Sequence, residues 1–325
     1  MTTERKSGID LRELSTWRIG GSAASVYFPS DFTELAECAL RISESGSEYF
    51  LVGLGSNLLF SSELVDVPLV VTRGMDACGA FGESHLARSV FAPVADSAGS
   101  PERLLYVEAG APNTRVIQLC IERGLGDLTC LTGVPGSFGG AVAMNAESVV
   151  EVMHENMWLA EANRETGEMS VKPAREHTFD YRYCSVQKSI LGAVLLRLHP
   201  ADSGETRRTV KERNEKRARK LPLNWPSAGC VFRNPPRDSA GALLDMAGMK
   251  EAARGGAMYS ERHANFIVNV GDATSGDVVE LMTLGKRAVW ETFGRSLQPE
   301  VKFVGRFDEE ALEYLHTNLE ENDGS

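Results

Sequence analysis

The stretch Thr132-Gly-Val-Pro-Gly-Ser-Phe-Gly-Gly-Ala-Val-Ala-Met-Asn145 constrains this chain most, because it packs four glycines and a proline into residues 133–140. Glycine loses more conformational freedom on folding than any other residue, so ordering such a run merely as a linker is costly. Gly139 and Gly140 stand just before an apolar run, which suits a place where a large ligand lies against the main chain. A second cluster, Gly53-Leu-Gly-Ser-Asn-Leu-Leu59, follows the apolar triplet Phe50-Leu51-Val52. Backbone N–H groups in such turns converge on an anion and hold a phosphate or pyrophosphate. It is not the dinucleotide fingerprint, because Leu58 stands where the third glycine belongs and no helical pattern follows. Alone, it reads equally well as a tight structural turn. Two such loops, each beside a strand, point to one elongated ligand carrying a diphosphate, such as a dinucleotide.

The surrounding pattern is a mixture of strands and helices. Val26–Phe28, Phe50–Val52 and Val67–Val71 read as strands. Between the first two, Asp31 caps a helix with Phe32, Leu35, Ala36, Ala39 and Leu40 at helical spacing. Residues 76–103 read as an irregular insertion rich in Gly, Ser, Ala and Pro. Leu104–Glu108 is strand-like, Asn113–Arg123 is an amphipathic helix closed by Gly124, and Ala141–Met144 and Ile190–Leu198 read as strands. Pro200–Gly204 reads as a linker, followed by a charged helix at Arg207–Lys220 that Pro222 stops. A helix at Ser275–Phe293 buries Val278, Leu281, Met282, Ala288, Val289 and Phe293, and a strand at Val301–Val304 precedes an acidic tail. The class is α+β, in two parts joined near residue 200.

Composition removes several function classes. The length of 325 residues is about two domains' worth, and 42% hydrophobic with 24% charged residues are globular values. A net charge of −11 argues against a nucleic acid bound along a broad surface, though not against a small anion in a local pocket. No run approaches the roughly 20 apolar residues of a membrane helix, and MTTERKSGID lacks the apolar core of a signal peptide, so a cytoplasmic protein is expected. The six cysteines (Cys38, Cys78, Cys120, Cys130, Cys184, Cys230) form no CxxC pair and the six histidines are scattered, so neither a metal site nor a disulfide framework is expected.

STWRIGGSA (15–23), VGLGSNLLF (52–60), LTGVPGSFGGAVAMNAE (131–147), FDYRYCS (179–185), RKLPLNWPSAGCVFRNP (219–235), YSERHANFIVN (259–269) and LQPEVKFVG (297–305) occur in this order. Together they resemble the bacterial UDP-N-acetylenolpyruvoylglucosamine reductases (UDP-N-acetylmuramate dehydrogenases) of peptidoglycan precursor synthesis, in the shorter form without a tyrosine-bearing lid. The resemblance implies a vanillyl-alcohol-oxidase-type FAD-binding domain at 14–200, with subdomains at about 14–74 and 104–200 around the 76–103 insertion. A substrate domain at 201–305 and an acidic tail at 306–325 would follow. NADPH would reduce bound FAD, and flavin N5 would then pass hydride to the enolpyruvyl ether of the UDP-sugar, giving UDP-N-acetylmuramate. That would place the protein in cell wall biogenesis, and so in cell shape and division.

By motif match, the cofactor would lie against Gly53, Gly55, Ser56 and Asn57, and against Gly133, Pro135, Gly136, Ser137, Gly139, Gly140 and Asn145. Hydride delivery builds negative charge beside the carboxylate, so the site needs a cationic stabiliser and a proton donor. Arg182 would hold the carboxylate and the developing enolate, with Glu300 assisting as a protonated acid. Without the resemblance, both read as surface residues. Cys230 in Ser227-Ala-Gly-Cys-Val-Phe232 takes the place where the family usually has serine. Alone it reads as a buried small residue. In the motif it becomes the proton donor, since a thiol with a pKa of about 8.5 is mostly protonated at neutral pH. Lys220, Asn234 and Tyr259 would contact substrate, with loops around Tyr259 covering it. The other bases of the 207–220 helix read as a solvated face, and His263 as structural. Tyr183-Cys184 replaces the family's more usual polar residue and serine. Another FAD oxidoreductase of the same fold, or a flavin- or nucleotide-sugar-binding protein without activity, are the competing readings.

Overall fold

The computed structural model describes residues 3–319 apart from 96, 97, 99, 101 and 102. These fall into two compact units, one within Met1–Lys6, Val26–Leu54 and Pro68–Arg217, the other within Ser7–Ser25, Gly55–Val67 and Ala218–Ser325. The division differs from a single joint near residue 200, because two early segments belong with the C-terminal part.

In the first unit, Val26–Phe28 leads through the helix Phe32–Glu44 to Phe50–Val52. Leu69–Val71 lies between those strands, parallel to both, and Glu4–Lys6 adds an antiparallel edge. Parallel strands need a crossover, and this helix supplies one. Its N-terminus is capped by Asp31, whose carboxylate accepts from Glu34 N at 2.9 Å. Phe32, Leu35, Ala36, Cys38, Ala39 and Ile42 are buried, while Leu40 is only half-buried. The second sheet runs Met169–Pro173, Met157–Ala162, Ile190–Arg197, Leu104–Glu108, Cys78–Ala80, antiparallel throughout. Gly192 allows the Phe32 ring to approach its central strand, for a Cβ there would stand 1.9 Å from Phe32 Cδ2. The helix Asn113–Arg123 ends at Gly124, which is left-handed at φ +62°.

Three local expectations are corrected in this unit. Ala141–Met144 is not a strand but lies in and after the helix Phe138–Ala143, because Ser137 Oγ caps it by accepting from Gly140 N at 3.2 Å. The 76–103 segment is not wholly irregular: Cys78–Ala80 joins the second sheet, and His85–Val90 is a helix capped by Ser84. The Pro200–Gly204 linker shrinks, since the charged helix spans Ser203–Lys220.

In the second unit Leu58–Phe60 pairs in parallel with Lys302–Val304, and Ala253–Arg254, Ala257–Tyr259 and Ile267–Asn269 form an antiparallel sheet. The helix Ser275–Phe293 occupies the expected residues, with Thr274 and Asp277 forming a capping box and Gly294 closing it at φ +64°. Val278, Leu281, Met282 and Val289 are wholly buried, whereas Ala288 and Phe293 are half-buried.

The expected acidic tail from 306 is also corrected. Glu309–His316 is a helix capped by Asp308, with Leu315 buried in the core of the unit, while residues 320–325 lie outside the described residues. Lys286 is the residue that secures it. Its side chain is fully buried and Nζ donates to the carbonyls of Leu315 at 2.7 Å and Thr317 at 2.6 Å, where a cation complements a helix C-terminus. Burial lowers the amine from its ordinary 10.5 to about 8. Between those values the unfolded chain keeps a proton that the folded chain has released, so the Lys286 contribution to stability rises with pH across this window. Relative to Lys286→Met, the wild-type melting temperature should therefore gain as pH goes from about 8 to about 10. A difference that does not change with pH would contradict this.

Candidate active site

In the first unit Gly53, which opens the first glycine-rich loop, rests on the second loop. A Cβ on Gly53 would lie 2.5 Å from Ser137 Oγ, so the end of the strand Phe50–Val52 rests directly on the second loop. The second loop is laid back along the chain after Leu104–Glu108. Asn113 N donates to Gly136 O at 3.1 Å, Phe138 N to Ala111 O at 2.7 Å and Gly139 N to Ala109 O at 2.9 Å. Gly139 must lack a side chain there, since a Cβ would stand 2.7 Å from Ala109. Gly136 is left-handed at φ +113°.

Around Gly133 the loop meets the charged helix. A Cβ on Gly133 would lie 2.6 Å from Arg217 Cδ and 3.2 Å from Asn214 Oδ1, and Arg217 is 4.0 Å from the Glu147 carboxylate. Arg217 Nε, Thr132 Oγ1 and Asn113 Oδ1 are buried and make no hydrogen bond within the protein. Buried polar atoms normally find partners, so three orphans around one glycine-rich loop mark a place built to receive a polar ligand. Sequence reasoning took in Thr132 only as the first residue of the loop and missed Arg217 and Asn113. Arg217 is one of eight bases in a short charged run, and Asn113 reads as an ordinary first helical residue.

Arg182 occupies a two-residue hairpin turn between Phe179–Asp180 and Tyr183–Cys184, paired as Phe179↔Cys184 and Asp180↔Tyr183. It is left-handed at φ +58°, and its guanidinium carbon lies 5.1 Å from the centre of the Tyr181 ring. Cys184 is wholly buried, and burial raises its thiol pKa. The substitution in the Tyr183-Cys184 pair therefore supplies an apolar anchor for the hairpin. Asn145, expected against the cofactor, is buried, and its amide nitrogen donates to Asp180 O at 3.1 Å.

The second unit holds Gly55, Ser56, Asn57, Cys230 and Glu300. Gly55 is left-handed at φ +68°, and a Cβ there would lie 1.8 Å from Leu14 O. Thr16 Oγ1 stands 3.3 Å from Gly55 O and donates to Ser227 O at 2.9 Å, tying the first loop to the segment before Cys230. Asn57 Nδ2 donates to Glu300 O at 3.2 Å, and Glu300 N donates to Val231 O at 2.8 Å, so Glu300 lies beside the Cys230 segment. That segment is clamped on its other side by Asn265. Its buried side chain accepts from Phe232 N at 3.0 Å and donates to Phe232 O at 2.8 Å, while Cys230 bridges Phe266. Cys230 is half-buried next to Gly229, where φ is +81° and a Cβ would meet nothing within 4 Å. Thr16 and Asn265 were also missed, since an isolated threonine and asparagine carry no periodic signal.

Among the expected substrate residues, Lys220 is exposed at the end of its helix and Asn234 is exposed, accepting from Ala240 N at 3.0 Å. Tyr259 is corrected. It is 0% exposed, its hydroxyl donates to Leu281 O at 3.1 Å, and Gly285 makes room for it, so it is a core residue with no face for a ligand. His263 accepts from Asn265 N at 3.2 Å and stacks edge-on with Phe266 at 5.0 Å, and burial lowers its pKa, which suits a neutral structural imidazole. Among the described residues no group of three or more His, Cys, Asp or Glu is placed to hold a metal ion, and no helix is long and apolar enough to cross a membrane.

Comparison with known proteins adds an independent line. A family model of the UDP-N-acetylenolpyruvoylglucosamine reductase C-terminal domain matches residues 221–304. The UDP-N-acetylenolpyruvoylglucosamine reductase of Caldicellulosiruptor saccharolyticus is 33% identical over 302 residues, 92% of this chain and 91% of that protein. The reductase of Heliobacterium modesticaldum is 35% identical over 294 residues, 90% of this chain and 88% of that protein. The crystal structure of the corresponding reductase from Thermus caldophilus aligns with a TM-score of 0.70 at 29% identity, covering 94% of this chain and 99% of that one.

Proposed function

Because the chain belongs to the UDP-N-acetylenolpyruvoylglucosamine reductase family, oxidoreductases of peptidoglycan precursor synthesis, we propose that it converts the enolpyruvyl ether of UDP-N-acetylglucosamine to UDP-N-acetylmuramate with FAD and NADPH. The observation that carries the cofactor is the group of unbonded polar atoms at the second glycine-rich loop. The Ser137 hydroxyl fills the place of a Gly53 side chain, and buried, unbonded polar atoms of Arg217, Thr132 and Asn113 lie around Gly133. A glycine-rich loop lined by such atoms suits a diphosphate and the flat rings joined by it. FAD bound there would relay hydride from NADPH to the enolpyruvyl carbon.

The chain's own residues do the rest. The Arg182 guanidinium pairs with the substrate carboxylate and offsets the charge that spreads onto it as the carbon–carbon double bond is reduced. Cys230 gives its proton to the carbon next to the carboxylate, and solvent reprotonates the thiolate, so each turnover consumes one proton besides the hydride. Glu300 donates a hydrogen bond to the same developing enolate. Lys220 and Asn234 hold the UDP-sugar, Lys220 by pairing with its diphosphate.

The visible spectrum of the purified protein tests the cofactor assignment. A flavin band that NADPH bleaches supports it, and a colourless protein that takes up no added FAD overturns it. Gly53→Ala is a finer probe. The new methyl displaces Ser137 Oγ from its cap on the helix Phe138–Ala143, a loss worth about 1 kcal/mol. FAD retention after gel filtration should weaken by about tenfold, with the fold kept. Unchanged retention would separate the loops from the cofactor.

A further inference from the structure

Three left-handed residues that are not glycine fall within four positions: Asn145 at φ +42°, Glu147 at +50° and Ser148 at +57°. A fourth, Arg182 at φ +58°, sits in the hairpin turn. Side chains rarely adopt this conformation, and it persists only where the surroundings over-determine it, which happens most at functional sites. The two strained places are joined by one side chain. Asn145 Nδ2 donates to Asp180 O at 3.1 Å, at the residue that opens the turn, while Asn145 Oδ1 accepts from Val150 N at 3.0 Å. Asn145 is 6% exposed, so the bonds form away from competing water. A second tie runs the same way, Gln187 Nε2 donating to Ala143 O at 2.6 Å.

We infer that Asn145 is a positioning residue for Arg182, holding the hairpin turn in the left-handed form that presents the guanidinium to a carboxylate. This rests on the role proposed for Arg182. Arginine is poorly suited to the second position of such a turn, where glycine or asparagine is usual, so the turn relaxes unless it is held. The Asp180 carbonyl is two residues before Arg182, and fixing it fixes the direction in which the turn leaves the hairpin. The amide of Asn145 is thereby committed to the protein rather than to the diphosphate of the cofactor.

Two variants isolate the tie. Asn145→Asp keeps an oxygen for Val150 N but has no donor for Asp180 O. Asn145→Gly keeps the left-handed backbone and removes both bonds. The readout is binding, by calorimetry on the flavin-loaded protein, of UDP-N-acetylmuramate, which carries the carboxylate, and of UDP-N-acetylglucosamine, which lacks it. Asn145→Asp should weaken the first by about tenfold and the second by less than about twofold, with Asn145→Gly the same or worse for the first. In an Arg182→Ala background, Asn145→Asp should have no further effect on the ratio. An equal loss for both ligands, or an undiminished loss in the Arg182→Ala background, would overturn the inference and leave the role of Arg182 intact. An Arg182→Ala protein with an unaltered ratio would overturn that role and the inference with it.

Discussion

Cys230→Ala is expected to lower turnover by about 10²–10⁴-fold, the usual contribution of a positioned general acid. The loss should fall on one half-reaction. NADPH should still bleach the flavin at the wild-type rate, because hydride arrival at the cofactor needs no proton from this thiol. Reoxidation by the enolpyruvyl UDP-sugar should be slow. Cys230→Ser should recover most of the rate, because a hydroxyl at the same place donates a proton along the same path. The local structure favours a clean test. The segment is held by backbone and Asn265 contacts at Val231 and Phe232, and none of these uses the Cys230 side chain. An alanine protein with both half-reactions intact would remove Cys230 from the mechanism.

Arg182→Ala is expected to cost about 10²–10³-fold in kcat/KM, as loss of a group that stabilises charge in the transition state does. Arg182→Lys should restore only part of this, for an ammonium cannot make the paired, planar contact of a guanidinium with a carboxylate. Arg182→Gly separates function from folding. Glycine accepts φ +58° freely, so relief of a left-handed strain of about 1–2 kcal/mol works against the loss of the side chain's contacts, that with the Tyr181 ring among them. That variant should be inactive yet melt no lower than wild type. An inactive and strongly destabilised protein would instead make Arg182 a structural residue.

What the sequence revealed depended on how local the signal was. The helices Asn113–Arg123 and Ser275–Phe293 were legible to the residue, because apolar spacing marks the buried face of each and Gly124 marks the end of the first. Ala141–Met144 misled because a short apolar run has no period of its own, and the Ser137 cap decides it. The helix Glu309–His316 was hidden by its acidic residues. The contact of Leu315 with the core and the grip of Lys286 on its last carbonyls help to hold it in place. The division into units was illegible for a different reason. Leu58–Phe60 pairs with Lys302–Val304, strands far apart in the chain, and no local pattern announces such a pairing.

The candidate site divides the same way. The 132–145 loop favoured a ligand on composition, whereas the 53–59 loop alone read equally well as a tight turn. Arg182, Cys230 and Glu300 stood out only through resemblance, since a surface arginine, a lone cysteine and a surface glutamate are commonplace. Tyr259 was misjudged because an aromatic residue near a motif looks the same whether it faces a ligand or the core, and the missing side chain of Gly285 puts it in the core. Asn265, Thr16 and Arg217 emerged only from their contacts in the fold.

The most direct measurement is a single turnover without oxygen. The purified protein is reduced with just enough NADPH to bleach its flavin band, then mixed with the enolpyruvyl UDP-sugar. The band is predicted to return as UDP-N-acetylmuramate forms in equal amount to the flavin. A flavin that stays reduced in the presence of this substrate would contradict the proposed reaction.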